Sequence, residues 1–214
     1  MSTTILLIRH GETAWNAGRR LQGHIDIALN EAGLAQAAAL GQALADEPLA
    51  AILASDLQRA EQTAQAIAQL KNLPVQTDPL LRERCYGAFE GLLYADIAAR
   101  YPHEYAQWQS RQIDAVMPSG ERDAESFRQF YARANGAIAR WAERHDGQTI
   151  AIVAHGGVLE CAYREAIGMA LDSPRDFQVQ NASVNRFSYA DGKLHLVHWG
   201  NIDHLSAPAM DELG

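Results

Sequence analysis

The chain has 214 residues, 48% of them hydrophobic, which is enough for one sizeable domain with its own core. Its 26 acidic and 18 basic side chains give a formal net charge of −8. Nucleic acids and membrane surfaces both select basic proteins, so we expect neither as a partner. Cys85 and Cys161 lack metal-site spacing, and nothing at the N-terminus resembles a signal peptide or a membrane span. We therefore expect a cytoplasmic protein with reduced thiols.

The first predicted element is a strand, because Ile5 to Ile8 form an unbroken apolar run that is too short for a helix. A run without polar alternation is typical of a strand buried on both faces, as in a parallel sheet. The run ends at Arg9 and His10, which precede Gly11. Ligands bind outside the carboxyl ends of such strands, so Arg9 and His10 are candidate site residues. Such a pair is also common in ordinary loops.

The next stretch, Trp15 to Ile27, is polar and contains glycine, so it predicts a loop over the site without regular structure. A helix beginning at Asn30 would pack on the sheet through a stripe of small and apolar residues: Leu34, Ala37, Ala38, Gly41, Leu44 and Ala45. Residues 49–54 predict a further strand. Ser55 with Gln58 then predicts a capping box, which places Arg59 in the first turn of a helix, where its guanidinium would attract an anion.

The middle of the chain predicts a short edge strand at 74–77 and an irregular segment at 80–91. Glu83 lies in this segment, and from residue type alone surface charge is its more common role. Residues 92–120 are rich in aromatic side chains and predict a helical cap with a break at Tyr101-Pro102. A long helix over about 124–143 follows, with a buried stripe at Phe127, Phe130, Tyr131, Ala134, Ile138 and Trp141.

A second buried strand ends in the same way as the first, since the apolar run 149–154 leads into His155-Gly156-Gly157. The two glycines allow close approach of a ligand to the backbone, and a helix predicted over 158–167 has free N–H groups at its start. Apolar runs at 184–189 and 194–199, joined by Asp191-Gly192, predict a hairpin. His195 and His198 would lie on opposite faces of its second strand, which argues against a shared metal.

Four groups of residues resemble, in order along the chain, the motifs of the histidine phosphatase superfamily, whose fold is phosphoglycerate-mutase-like. They are Arg9–Thr13 with Trp15-Asn16, Ser55–Ala60 with Thr63-Ala64, Leu81–Glu83 with Gly87 and Glu90-Gly91, and His155–Gly157. The resemblance implies an α/β fold, a three-layer α/β/α sandwich. It also implies a mostly parallel central sheet, an antiparallel C-terminal strand and one domain, 1–214, with a helical cap insertion at about 92–120.

The resemblance also implies the roles of single residues. His10 would be the nucleophile that forms a phosphohistidine, although either histidine could attack, and Glu83 would be the proton donor. Arg9, Arg59 and an imidazolium at His155 would neutralise the phosphate, so we expect no metal and no cofactor. Glu90 would bind backbone donors near the loop. The expected substrate-binding residues are Asn16, Gln22, Gly23, Gly156 and His204, and a solvated tail position is equally compatible with His204.

Three functions remain compatible with these residues: a phosphatase, a 2,3-bisphosphoglycerate-dependent phosphoglycerate mutase, and a non-catalytic domain that binds phosphorylated ligands. The presence of both histidines, both arginines and Glu83 argues against the third. The residues from Glu83 to Gly87 resemble the mutase version of their motif, but Arg100 is the only cation between Tyr86 and Ser110 apart from His103. The mutases also tend to have Gly-Asn where this chain has Gly156-Gly157. We therefore expect a metal-independent phosphatase for a small phosphorylated metabolite, as a monomer or a homodimer.

Overall fold

A six-stranded sheet forms the centre of the structure, a computed structural model that describes residues 1–206 and 209–211. The strands are β1 Thr3–Arg9, β2 Leu49–Ala54, β3 Val75–Thr77, β4 Thr149–Ala154, β5 Val184–Ala190 and β6 Lys193–Asn201. Their order is β3-β2-β4-β1-β5-β6. The first four in this order are parallel, whereas β5 pairs antiparallel with β1 and β6 with β5. The predicted mostly parallel sheet with an antiparallel C-terminal end is confirmed.

Helices cover both faces of the sheet. They are α1 Ala14–Ala17, α2 Glu31–Ala43, α3 Gln58–Lys71, α4 Tyr94–Arg100, α5 Pro102–Gln109, α6 Phe127–Arg144 and α7 Gly156–Ile167. On one face, α2 and α3 pack against Leu6, Ile8 and Val153. On the other, α6 and α7 pack against Ile5 and Leu7 of the same strand. Alternate side chains of a strand point to opposite faces, which explains why unbroken apolar strands form the middle of a three-layer sandwich.

The two strands that end in histidine are direct neighbours. β1 and β4 are parallel, with Arg9 opposite Ala154, so their carboxyl ends lie side by side. The backbone N–H of His10 donates to the carbonyl oxygen of Ala154 at 3.0 Å. His10 and His155, each one residue beyond its strand, are therefore brought to the same edge of the sheet.

The predicted stripe of α2 is wrong for Leu34, Ala38 and Ala45, which are exposed. The helix instead buries Gly33, Ala37, Leu40, Gly41 and Leu44. A Cβ on Gly33 would lie 2.0 Å from the carbonyl oxygen of Glu12, and one on Gly41 would lie 2.7 Å from that of Ala66. The packed face of α2 is therefore the one whose glycines allow its backbone to contact neighbouring segments. The spacing of apolar residues alone does not reveal this face.

Other predicted helix starts also differ from the structure. No capping box forms at Ser55, because α3 begins at Gln58, whose N–H donates to Asp26 Oδ1 at 2.8 Å. That cap comes from a loop 32 residues earlier, whereas a capping box is a local pattern. Within the predicted loop 15–27, Thr13 caps the short helix α1. Ser126 caps α6, which begins at residue 127 and not 124, and α7 begins at residue 156 and not 158.

The segment 92–120 carries α4 and α5, which meet at the predicted break between Tyr101 and Pro102. Its aromatic side chains form a third core with Phe89: the ring of Trp108 lies 5.8 Å from that of Tyr94 and 5.9 Å from that of Phe89, measured between centroids. Within the described ranges, no helix is both long and apolar enough to cross a membrane.

Candidate active site

Arg9, His10, Arg59 and His155 converge at the carboxyl ends of β1 and β4. All four are at most 3% exposed. The rings of His10 and His155 lie 5.2 Å apart between centroids, tilted by 60°. Burial and the charges of Arg59 and Arg9 lower the pKa of each histidine well below its ordinary value. The structure thus brings together four of the five residues predicted as catalytic.

Arg9 presents part of its guanidinium to this centre. Its Nη1 donates to the carbonyl oxygens of Val179 and Met210. Its Nε and Nη2 are buried and have no hydrogen-bond partner among residues 1–206 and 209–211. Buried donors without a partner carry a large free-energy cost unless a ligand accepts from them, so Arg9 is arranged to bind an anion.

Arg59 lies in the first turn of α3 and connects that helix to the loop above the site. Its Nη1 donates to the carbonyl oxygen of Ile25 at 3.0 Å and its Nη2 to that of Gly23 at 2.8 Å. Gly23 has a positive φ of 53°, and a Cβ there would lie 2.1 Å from Glu90 Oε1. The structure therefore requires glycine at position 23, which carries a carbonyl partner of Arg59.

His10 is held in one tautomer by its own backbone. Its Nδ1 lies 2.7 Å from the carbonyl oxygen of Gly11, so Nδ1 carries the proton and Nε2 carries the lone pair. The Gly11 N–H donates to Thr63 Oγ1 at 3.0 Å, and Asn181 Nδ2 donates to the His10 carbonyl at 2.9 Å. These bonds fix the backbone on both sides of the imidazole.

His155 differs from His10 in its hydrogen bonding. It occupies the N-cap position of α7, and in the described part of the chain neither ring nitrogen has a hydrogen-bond partner. Burial first, and then the charges of Arg59 and His10, lower its pKa. The positive centre around His155 disfavours a further charge, so the imidazolium expected at this position would depend on the negative charge of a phosphate.

Glu83 is buried beside this centre, with 3% of its surface exposed. Its Oε1 accepts from the N–H of Arg84 at 2.7 Å and its Oε2 from the N–H of Gly157 at 2.9 Å. The imidazole of His24 donates from Nε2 to the Glu83 carbonyl oxygen at 2.7 Å. The interpretation of Glu83 as surface charge is wrong because the side chain is buried, and its role as proton donor stays an expectation from the family resemblance.

The predicted substrate-binding residues are placed less uniformly. The Thr13 hydroxyl lies 3.0 Å from Asn16 Oδ1 and 3.1 Å from Gln22 Oε1, and both amides line a small recess next to the His10 motif. Gly156 is the first residue of α7. His204 lies near the backbone of Ala182, whose N–H donates to the carbonyl oxygen of His10, and its buried Nε2 has no hydrogen-bond partner among the described residues. Glu90 accepts from the N–H groups of His24 and Tyr86, as predicted.

A pocket opens next to Gly157, and its charged residues were not among the predicted site residues. Three arginines line it: Arg84, Arg111 and Arg175. Its aromatic wall consists of Tyr86, Tyr94, Trp108, Phe127 and Phe130. The sequence has few cations between residues 86 and 110, but the fold brings arginines to this pocket from positions outside that window. Arg84 adjoins Glu83 in the sequence and could have been found, whereas nothing in the sequence marks Arg175.

The three arginines have different partners. Arg111 Nη2 pairs with Glu160, and Arg111 Nε has no hydrogen-bond partner in the described ranges. Arg175 Nη2 donates to Asp211 Oδ1 at 2.6 Å. Arg84 donates to the carbonyl oxygens of Glu125 and Ala115, and its burial lowers its pKa. The pocket is therefore positively charged overall and retains free donor capacity.

The residues that the structure describes contain no group of three or more His, Cys, Asp or Glu side chains that could hold a metal ion. The charge at the centre is supplied by the guanidiniums of Arg9 and Arg59. Together with two imidazoles and a carboxyl group, these side chains can bind an oxyanion, attack it and move a proton.

Comparison with known proteins agrees with this geometry. Residues 5–202 match the model of the histidine phosphatase superfamily, branch 1. Two relatives from Arabidopsis thaliana are each 39% identical: phosphoglycerate mutase-like protein 4, over 94% of this chain and 86% of that protein, and a metal-independent phosphoserine phosphatase, over 96% and 84%. The solved structure of Bacillus stearothermophilus YhfR is 33% identical, with a TM-score of 0.86 over 94% of this chain and 98% of that one. The match extends from β1 to β6, and the chain belongs to the histidine phosphatase superfamily.

Proposed function

We propose that the protein is a metal-independent phosphatase that hydrolyses small phosphomonoesters through a phosphohistidine at His10. The pair formed by Arg9 and His10 carries this proposal. A nitrogen with a free lone pair lies in the same buried centre as a guanidinium whose Nε and Nη2 have no partner among the described residues. The lowered pKa of His10 keeps that lone pair available at neutral pH, which a nucleophile requires.

In the first step, Arg9, Arg59 and His155 bind the non-bridging oxygens, and the dianion offsets the charge that lowers the pKa of both histidines. His10 Nε2 attacks phosphorus in line. The N–P bond forms as the ester P–O bond breaks, and Glu83 gives its proton to the leaving oxygen. In the second step, water attacks the phosphohistidine, Glu83 takes the proton from this water, and phosphate leaves as the N–P bond breaks.

The pocket next to Gly157 would hold the leaving group, and its charges favour one that carries a carboxylate. Arg111 retains a free buried Nε–H, and Arg84 donates only to carbonyl oxygens through its side chain within the described ranges. A carboxylate matches the fork of a guanidinium. The relative named as a phosphoserine phosphatase fits this proposal, because phosphoserine carries such a group.

We further propose that residues 1–214 form one domain in which 92–120 act as the cap of the site. Tyr94 and Trp108 of this segment line the pocket, which supports that role. A cytoplasmic location is compatible with Cys85 and Cys161, which are buried and not disulfide-bonded. A homodimer remains a prediction of the sequence.

A phosphoglycerate mutase is the second candidate. The observation in its favour is the group of arginines in the pocket, which could bind a second anionic group, and a relative with 39% identity is named phosphoglycerate mutase-like. A mutase would transfer the phosphoryl group from His10 to a second hydroxyl, whereas a phosphatase transfers it to water.

A panel of phosphomonoesters tests the proposal directly. We expect phosphate release in the presence of EDTA, inhibition by vanadate, and an acid-labile phosphoenzyme that forms with the wild-type protein but not with His10→Ala. The variant His198→Ala is the control, because this histidine is exposed on β6. Turnover that survives in His10→Ala, or that needs added magnesium, would contradict the mechanism.

A further inference from the structure

Glu83 lies on a segment without regular structure, between the 3-10 turns Pro79–Leu81 and Gly87–Phe89. The carbonyl groups next to Glu83 therefore do not accept the regular hydrogen bonds of a strand or an α-helix. A proton donor has to be held within about 0.5 Å of its productive position, and loops alone are less precise than helices or strands. Other groups must fix this segment.

One guanidinium bonds both this segment and the carboxylate of Glu125. Arg133 Nη1, on α6, donates to the carbonyl oxygens of Leu80 and Arg82, both at 2.9 Å, and its Nη2 donates to that of Glu83 at 3.0 Å. Its Nε and Nη2 also donate to the two carboxylate oxygens of Glu125, each at 2.7 Å. A guanidinium has five N–H groups, and all five are used here.

Glu125 continues the same clamp on the other side of Glu83. Its Oε2 accepts from the N–H of Cys85 at 3.0 Å, and its backbone N–H donates to the Cys85 carbonyl at 2.9 Å. Its own carbonyl oxygen accepts from Arg84 Nε at 2.9 Å. Residues before and after Glu83 are thus bonded to one ion pair anchored on the long helix α6.

We propose that Arg133, paired with Glu125, is a positioning residue that sets the geometry of the Glu83 proton donor. The inference rests on the proposed function, since it requires Glu83 to act as the acid. Arg133 bonds the carbonyl oxygen of Glu83 and not its carboxyl group, so it acts through the backbone. A lysine keeps the charge but not the planar fork, and therefore cannot hold three carbonyls and a carboxylate at once.

The dependence of rate on the leaving group provides the test. A displaced acid harms esters of poorly acidic alcohols most, because 4-nitrophenolate needs little protonation. For Arg133→Lys we expect kcat/KM to fall at least about tenfold more for an alkyl phosphate than for 4-nitrophenyl phosphate. Glu125→Gln should change this ratio in the same direction by a smaller factor. In the double variant Glu83→Gln/Arg133→Lys, the ratio should differ little from that of Glu83→Gln alone, because both substitutions act on protonation of the leaving group.

Arg128→Lys is the matched control. Arg128 also lies on α6 and forms a two-pronged pair, from Nε and Nη2 to the carboxylate of Asp114, but this pair is exposed and does not contact the Glu83 segment. We expect its leaving-group dependence to equal that of the wild type. The inference is overturned if Glu83→Gln shows the selective loss while Arg133→Lys and Glu125→Gln slow all substrates equally or not at all. If Arg133→Lys does not fold, Glu125→Gln decides. A wild-type protein without phosphatase activity would instead refute the proposed function itself, and the inference with it.

Discussion

The backbone N–H of Gly157 donates a 2.9 Å hydrogen bond to Glu83 Oε2. This bond joins the first turn of α7, directly after His155, to a segment 74 residues earlier in the chain. A Cβ on residue 157 would lie 2.2 Å from Glu83 Oε1 and 2.8 Å from Cε1 of Phe130. Glu83 can occupy this position only because residue 157 is a glycine.

The variant Gly157→Ala should therefore displace Glu83. We expect a loss of kcat/KM on the order of 100-fold for alkyl phosphates, since a displacement of about 1 Å has effects of this size, and a smaller loss for 4-nitrophenyl phosphate. Steady-state kinetics with both substrates measure the difference.

Gly136→Ala is the control for this substitution, because Gly136 also lies in a helix and a Cβ there would meet nothing within 4 Å. It should keep full activity and raise the free energy of unfolding by about 0.5 to 1 kcal/mol. A Gly157→Ala protein with wild-type kinetics on alkyl phosphates would show that Glu83 does not depend on this glycine.

The two central histidines predict how stability depends on pH. Burial and the charges of Arg59 and Arg9 lower the pKa of His10 in the folded protein, and burial and Arg59 lower that of His155. In the unfolded chain both return to about 6.5. As the pH falls through that value, the unfolded chain binds protons that the folded protein does not, so the folded state loses stability by up to about 1.4 kcal/mol per pH unit for each histidine.

Urea unfolding between about pH 5 and pH 8 measures this slope. His155→Gln should remove the contribution of one histidine, whereas His195→Gln, at an exposed position on β6, should keep the wild-type slope. The same slope in His155→Gln and in the wild type would mean that His155 is not held neutral in the folded state.

The sequence predicts those parts of the site that depend on neighbouring strands. Arg9, His10 and His155 follow buried apolar runs, and parallel strands place such ends at one edge. The environment of Glu83 depends on contacts with Gly157 and Arg133, which are distant in the chain, so its burial could only be expected from the family resemblance. The cap that Asp26 supplies to α3 was missed for the same reason, since no local pattern encodes a partner on another loop.

The pocket arginines predict which leaving groups the enzyme prefers. Arg111→Gln removes a guanidinium whose Nε–H has no partner among the described residues, while Arg164 still bonds Glu160 at 2.9 Å. A hydrogen bond to a charged group contributes about 1.5 to 3 kcal/mol, so we expect KM for phosphoserine to rise about tenfold or more. Phosphoethanolamine, which lacks the carboxylate, should be affected much less.

Arg128→Gln, which removes an exposed arginine that does not line the pocket, is the control for this experiment. It should leave both KM values unchanged. If Arg111→Gln raises KM for phosphoserine and phosphoethanolamine equally, the pocket does not recognise a carboxylate, although the phosphatase mechanism would stand.

The last prediction is that phosphate release is faster than isomerisation of 3-phosphoglycerate. Two carboxylates, Glu160 and Asp211, pair with two of the three pocket arginines, and Glu160 also pairs with Arg164, so the positive charge of the pocket is only partly compensated. This partial charge suits a single carboxylate, whereas a second phosphate dianion would be bound without adequate compensation at a cost of several kcal/mol. A mutase must keep the bisphosphate intermediate bound while it reorients in the site. Weak binding of the second phosphate therefore favours transfer of the phosphoryl group from His10 to water. The two rates are compared in a coupled assay with 3-phosphoglycerate and 2,3-bisphosphoglycerate and in a parallel phosphate-release assay. Isomerisation clearly faster than phosphate release would show that the protein is a mutase.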